Sequence, residues 1–136
     1  MEFMLILLVD REAPEDPTLY PEMGRFAGEL ASRGQLRGGA PLQSEAQGVR
    51  VTGSLLHVGP FPSRVVIGGY FVIECKSRAE AIAIARRCPH TRVGTVEVRQ
   101  LVAMRPPPSA RRRPRGKPPR KIAGKKKKAP ARRKKR

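Results

Sequence analysis

Residues 3–9 form an unbroken apolar run, with Phe3, Leu5, Leu7 and Val9 on one face of an extended chain and Met4, Ile6 and Leu8 on the other. Apolar side chains on both faces predict a central strand covered twice. After a turn-rich stretch over 10–17, Leu19, Met23, Phe26, Ala27 and Leu30 recur at helical spacing. Pro21 suits a first turn and Gly34 an exit, so the spacing predicts a helix over 19–33. Residues 34–48 hold Gly38, Gly39 and Pro41 before a polar stretch, and read as a loop. Residues 49–52 and 55–58, with Gly53 and Ser54 between them, predict a short hairpin. Gly59, Pro60 and Pro62 then break the ladder.

Residues 65–67, the Gly68-Gly69 pair and residues 70–75 predict a strand with Phe71, Ile73 and Cys75 on one face and Tyr70, Val72 and Glu74 on the other. Ser77, with Glu80 three residues on, is a capping-box pattern that opens a helix through Ala79, Ile82, Ala83 and Arg86. Cys88-Pro89 ends it. Residues 93–102 predict a last strand, with Val96 and Val98 opposite Thr95, Glu97 and Arg99. The order strand, helix, hairpin, strand, helix, strand is that of an α+β ferredoxin-like fold with extra hairpin material. One protomer of that plan leaves a sheet face bare. Here the face would carry one set of the β-strand 3–9 side chains with Val72, beside Tyr70, Glu74, Glu97 and Arg99. Such a surface predicts a face-to-face homodimer.

Charge divides the chain in two. Residues 105–136 hold seventeen Lys/Arg and no acid, while residues 1–104 hold twelve basic and eleven acidic residues, so nearly all of the +18 net charge lies in the tail. The segment 1–104 is the size of one domain and can bury one core. Tryptophan is absent, so that core is aliphatic. Cys75 and Cys88 fit neither a metal spacing nor a disulfide framework, and read as buried thiols in a reducing, cytoplasmic setting. No cofactor or metal set is visible. The run 3–9 is too short to cross a bilayer, and Glu2 stands where a signal peptide would be basic, so neither export nor a membrane is expected.

Residues 4–9 and 21–34, the turn Val58-Gly59-Pro60-Phe61, the segment Ile67-Gly68-Gly69-Tyr70-Phe71, residues 77–90 and Gly94-Thr95-Val96-Glu97-Val98-Arg99 together resemble the YCII-related family. The branch is the one known for an Asp-Gly-Pro-Phe signature, and the likeness runs over about residues 1–102. The resemblance implies a small dimeric α+β barrel, found mostly in bacteria, with a polar cleft between sheet and partner. It implies no established activity: enzymatic proposals for the family rest on an acid/base pocket, and some members occur near or fused to sigma-factor-like regulators. This chain departs from the signature at its first position, where Val58 replaces the Asp, and Pro62, Ser63 and Arg64 follow in place of the usual acid. A valine neither accepts a proton nor binds a cation. If that Asp is needed for catalysis, this chain has lost it.

His90 matches a histidine common in the branch and is the candidate catalytic residue, either a pocket group or a cap on the carbonyls of the preceding helix. His57, two residues before the Gly-Pro turn, adjoins the cleft in the family arrangement, and either faces inward or is a solvated strand histidine; Phe61 in the turn is a further ligand-binding candidate. Tyr70, Glu97 and Arg99 lie on the sheet face toward the cleft. Glu97 and Arg99 point the same way and either bind a polar ligand or form an interface ion pair. Gly68 and Gly69 either let a ligand approach the backbone or mark a bulge. No phosphate loop or nucleophile elbow is present.

The tail, with seven prolines and Ile122 its only large aliphatic residue, is expected to be disordered. Its composition resembles the Lys/Ala/Pro-rich tails of linker-histone-like proteins. Arg111, Arg112, Arg113, Arg115, Lys117, Arg120 and Lys121 form its first basic group. Lys125, Lys126, Lys127 and Lys128 form the second, and Arg132, Arg133, Lys134, Lys135 and Arg136 the third. Without aromatic residues the tail has no means of stacking on bases, so nonspecific contact with DNA or RNA is expected, with a nucleoid-associated location. Three readings follow: a noncatalytic dimeric binding or regulatory module that the tail holds on nucleic acid; a small-molecule enzyme using His90 with Tyr70, Glu97 or Arg99; and a structural protein whose domain only joins two basic arms.

Overall fold

In the computed structural model, which describes residues 1–104, 129 and 131, the first apolar run forms β1 (Glu2–Asp10). The chain divides into two units at Ala103 and Met104, and the fold belongs to the first of them. The expected disorder of 105–136 falls outside the described residues, apart from 129 and 131. Helix α1 (Leu19–Ser32) buries Phe26 and Leu30 against the sheet. It stops where Gly34, at φ +67°, takes a left-handed conformation that costs other residues more.

The segment 34–48, expected as a loop, instead contains the strand β2 (Leu36–Pro41) and a 3-10 turn, Glu45–Gln47. The small residues that argue against a strand are what allow it. A methyl group at Gly39 would lie 2.6 Å from Phe71 Cδ1 and 2.8 Å from the Tyr70 carbonyl oxygen, so glycine lets β2 close on its neighbour. Pro41 is tolerated because β2 is an edge strand. The expected hairpin forms as β3 (Val49–Thr52) and β4 (Leu55–Val58), but as its own two-stranded sheet. Gly53, at φ +60°, opens its two-residue turn.

Strand β5 (Val65–Glu74) pairs antiparallel with β1 and β2, and β6 (Gly94–Gln100) pairs antiparallel with β1. The order β2-β5-β1-β6 with two strand-helix-strand crossovers is the ferredoxin-like arrangement. Both helices contribute to one core, made by Phe3, Leu5, Leu7 and Ile73 of the sheet and Cys75 just past the end of β5, with Phe26, Leu30, Ala81, Ile84 and Cys88. Phe26 and Phe71 meet edge to face at 5.8 Å. The first strand is central, as expected, but the described residues cover only one of its faces: Met4, Ile6 and Leu8 stay half-buried.

Helix α2 (Arg78–Arg87) begins at the predicted capping box. Ser77 Oγ accepts from the Glu80 N–H at 3.1 Å, and the Glu80 carboxylate accepts from the Lys76 N–H at 2.8 Å and from Gln35 Nε2 at 3.0 Å. Replacing Ser77→Ala should therefore cost about 1 kcal/mol. Urea melts would show it as a lower midpoint at unchanged slope. No helix among the described residues is long and apolar enough to cross a membrane.

Candidate functional site

Pro89 ends α2, and the 3-10 turn Pro89–Arg92 places His90 inside the fold at 4% exposure. Its partner is not the carbonyls at the end of α2. His90 Nε2 donates to the carbonyl oxygen of Leu8 in β1, at 2.8 Å and 82 residues away. A carbonyl only accepts, so Nε2 carries the hydrogen and, in the neutral ring, Nδ1 holds the lone pair. Among the described residues the one side-chain polar atom sealed from solvent without a partner is Gln35 Oε1. His90 Nδ1 has no hydrogen-bond partner among them. Gly94 makes room for this arrangement: a methyl group there would lie 2.3 Å from the Leu8 oxygen and 2.6 Å from His90 Nε2.

Two clefts share Val9, Leu19 and His90 in their walls. The larger, about 530 Å³, lies against the segment 10–17 and carries the carboxylates Asp10, Glu15 and Asp16. The other, about 410 Å³, lies under α1 and is mainly apolar, with Leu7, Met23, Ala27 and Phe71 among its walls. It opens because small residues face one another: Gly24 and Ala27 on α1, and Gly39, Ala40 and Gly68 on the sheet. This grouping was not anticipated from sequence. The signal for it is the concentration of glycine and alanine in α1 and in residues 38–40.

The segment 10–18 is strapped down by ions. Asp10 accepts from the Glu12 N–H at 2.9 Å and from Arg64 Nε at 3.0 Å, and these contacts hold its carboxyl below the usual value. The Thr18 hydroxyl, 2.6 Å away, and the Thr18 N–H do the same for Asp16, with help from Arg92 at 3.1 Å. Arg92, which also pairs with Glu22, is raised in turn. A carboxyl lowered on folding stabilises fully above its ordinary value, and that stability is lost as pH falls through the lowered one. The stability that Asp10 and Asp16 contribute is thus fully present near neutrality. Burial pushes both thiols up, and Cys88 Sγ packs 3.8 Å from Met23 Sδ.

The other candidate residues are divided between places. Glu97 and Arg99 form an ion pair with each other, on the sheet face away from the helices. Tyr70 and Glu97 flank Ile6 in one row across that face, and Tyr70 also contributes to the wall of the 410 Å³ cleft. The register between β1 and β5 skips Gly68, which is the bulge, and Gly69 sits where a methyl group would lie 2.9 Å from the Ala40 carbonyl oxygen. His57 is exposed on β4, opposite Arg50, and lines neither cleft. Phe61 is a hinge-pin for the hairpin: its N–H donates to the Glu45 carboxylate at 2.8 Å, and the Arg50 guanidinium lies 4.0 Å from its ring centroid. Val58, at the position of the signature acid, is 70% exposed on β4 and outside both clefts. The basic tail residues lie outside the described ones. Among the described residues no three His, Cys, Asp or Glu are grouped to hold a metal ion.

No curated protein sequence matches the chain. Among solved structures it is similar to 5-chloro-2-hydroxyhydroquinone dehydrochlorinase (TftG) from Burkholderia phenoliruptrix AC1100, in complex with 2,5-dihydroxybenzoquinone. The identity is 14%, the match covers 75% of this chain and 94% of that one, and the TM-score is 0.40. The family profile described as the YCII-related domain matches residues 1–105, a span that includes the whole of the first unit, and the chain belongs to that family.

Proposed function

We propose that this YCII-related chain is a binding module that takes a small, largely apolar molecule bearing a hydrogen-bond donor, and that its basic tail holds the module on nucleic acid without sequence preference. The observation that carries the first half is His90. One ring nitrogen is spent on the Leu8 carbonyl, and the other has no partner among the described residues, at a residue that walls two clefts. Apolar walls with one fixed polar group are how small-ligand sites obtain both affinity and orientation. Two copies join through the open sheet face, whose apolar centre of Met4, Ile6 and Val72 is bordered by the pairs Arg37–Glu74 and Glu97–Arg99.

One observation favours a second, enzymatic reading at the same place. Position 58 lies outside both clefts, so a valine there takes nothing from a site built on His90. Nδ1 would then act as general base on the bound hydroxyl group.

The test is thermal unfolding across a panel of phenols, hydroxy acids and apolar alcohols, on the wild-type chain and on His90→Ala. A ligand at a hundred times its Kd stabilises by about 2.7 kcal/mol. In a domain of this size that raises Tm by roughly 10 °C or more. The rise should be absent in the variant. Equal rises in both proteins, or none anywhere on the panel, would remove the cleft from consideration.

A further inference from the structure

Segment 10–22 carries five carboxylates, those of Asp10, Glu12, Glu15, Asp16 and Glu22. Two guanidinium groups answer four of them: Arg64 is shared by Asp10 and Glu12, and Arg92 by Asp16 and Glu22. Arg11, the segment's own cation, pairs with Glu45. Glu15 is exposed, has no ion-pair partner among the described residues, and walls the larger cleft with Asp10 and Asp16. Pro14 and Pro17 restrict the backbone on either side of Glu15 and Asp16, and so limit how far the two acids stray from the cleft. This wall is in surplus of negative charge, although the body as a whole has twelve basic and eleven acidic residues. A cleft lined by one sign of charge concentrates the opposite ion.

The second observation is His90. It is 4% exposed, stands with Val9 and Leu19 in the walls of both clefts, and its Nδ1 has no partner among the described residues. The acidic cleft and the apolar one thus abut at a single buried acceptor. We propose that they are two halves of one site whose ligand is an organic amine; the inference rests on the binding reading given above. The apolar body lies under α1, the cationic head lies among Glu15, Asp10 and Asp16, and an N–H of the head donates to His90 Nδ1. Charge selects this class. An anion would meet the surplus of carboxylates, and the positive end of α1 that could attract it is already faced by Asp16 and Glu22. A metal ion needs converging ligands, and no three His, Cys, Asp or Glu among the described residues supply them. An ammonium group needs only acceptors and a negative field, and this wall has both. Tyr20, Tyr70 and Phe71 in the wall of the apolar cleft suit a flat, aromatic body.

The test is isothermal titration of the full chain with phenethylamine and with phenethyl alcohol, which share an apolar body and differ in the head. The amine should bind wild type about tenfold more tightly than the alcohol. Glu15→Gln, at an exposed position that the fold does not depend on, should bring the two within about twofold by weakening the amine alone. Glu29→Gln removes the same charge from α1 outside both clefts and should leave the preference intact. His90→Ala should abolish the binding of both compounds. Equal binding by wild type, a preference that survives Glu15→Gln, or one that Glu29→Gln also removes would overturn the amine assignment and leave the binding module standing. Binding of neither compound, with a response among the hydroxyl compounds named above, would overturn it in the same way. If nothing in either set binds, both readings are wrong.

Discussion

A chain ending at residue 104 should lose nearly all affinity for DNA and RNA. The seventeen cations beyond that point are lost together, and what remains has twelve basic and eleven acidic residues. About half of the body's arginines are committed: Arg11, Arg37, Arg64, Arg87, Arg92 and Arg99 pair with its own carboxylates. With the tail present, if about eight cations meet phosphates, the slope of log affinity against log salt on duplex DNA should be near −7. Raising salt from 50 to 200 mM would then cost about 10⁴-fold. Random and defined duplexes should bind alike, because a tail without aromatic residues has nothing to stack on a base. Filter binding against salt on both chains decides the matter. Equal retention by the full and shortened chains would refute the tether, and dimer formation should sharpen the contrast because the first bound tail raises the effective concentration of the second.

The second large effect is expected at a residue with no side chain. Gly94→Ala places a methyl group within 2.3 Å of the Leu8 oxygen and 2.6 Å of His90 Nε2. The Leu8 oxygen belongs to a central strand paired on both sides and has little freedom to retreat, so His90 must move and its hydrogen bond must break. Overpacking costs about 1–3 kcal/mol. A buried acceptor left without its donor adds about 1–3 more. A loss of about 3 kcal/mol, or roughly 15 °C in Tm, is expected for a domain of this size. The double variant with His90→Ala should not lose the sum of the two single costs, since both break the same bond. Additive costs, read from urea melts of the four proteins, would mean that Gly94 and His90 are not coupled.

Much of this architecture was legible from sequence, and the exceptions have physical causes. Periodicity located β1, both helices, the hairpin, β5 and β6, because each carries an apolar face long enough to state its period. It missed β2, whose central residues are Gly38 and Gly39. There the absence of side chains is the adaptation, and a pattern of side chains has nothing to report. At the candidate site, His90 was visible and its partner was not: the Leu8 carbonyl is main chain, 82 residues distant, and no residue type announces it. Alternation placed Glu97 and Arg99 with Tyr70 correctly on one sheet face. What it could not supply was the side on which the turn Pro89–Arg92 packs, and that turn puts His90 by the helices and away from Glu97 and Arg99.

The strand order also governs how the chain is made. β1 precedes every other element, yet its partners are β5 and β6, the last of which begins at Gly94. Synthesis at 5–20 residues per second separates the end of β1 from the start of β6 by about 4–17 s. Until β5 is made, seven consecutive apolar residues wait without a partner, bounded by the acidic Glu2 and Asp10, and one edge of β1 stays unpaired until β6 follows. Those two charges act as gatekeepers against premature strand pairing between nascent chains. The sheet is therefore closed by its latest element, and everything between β1 and β6 must be held in readiness for it.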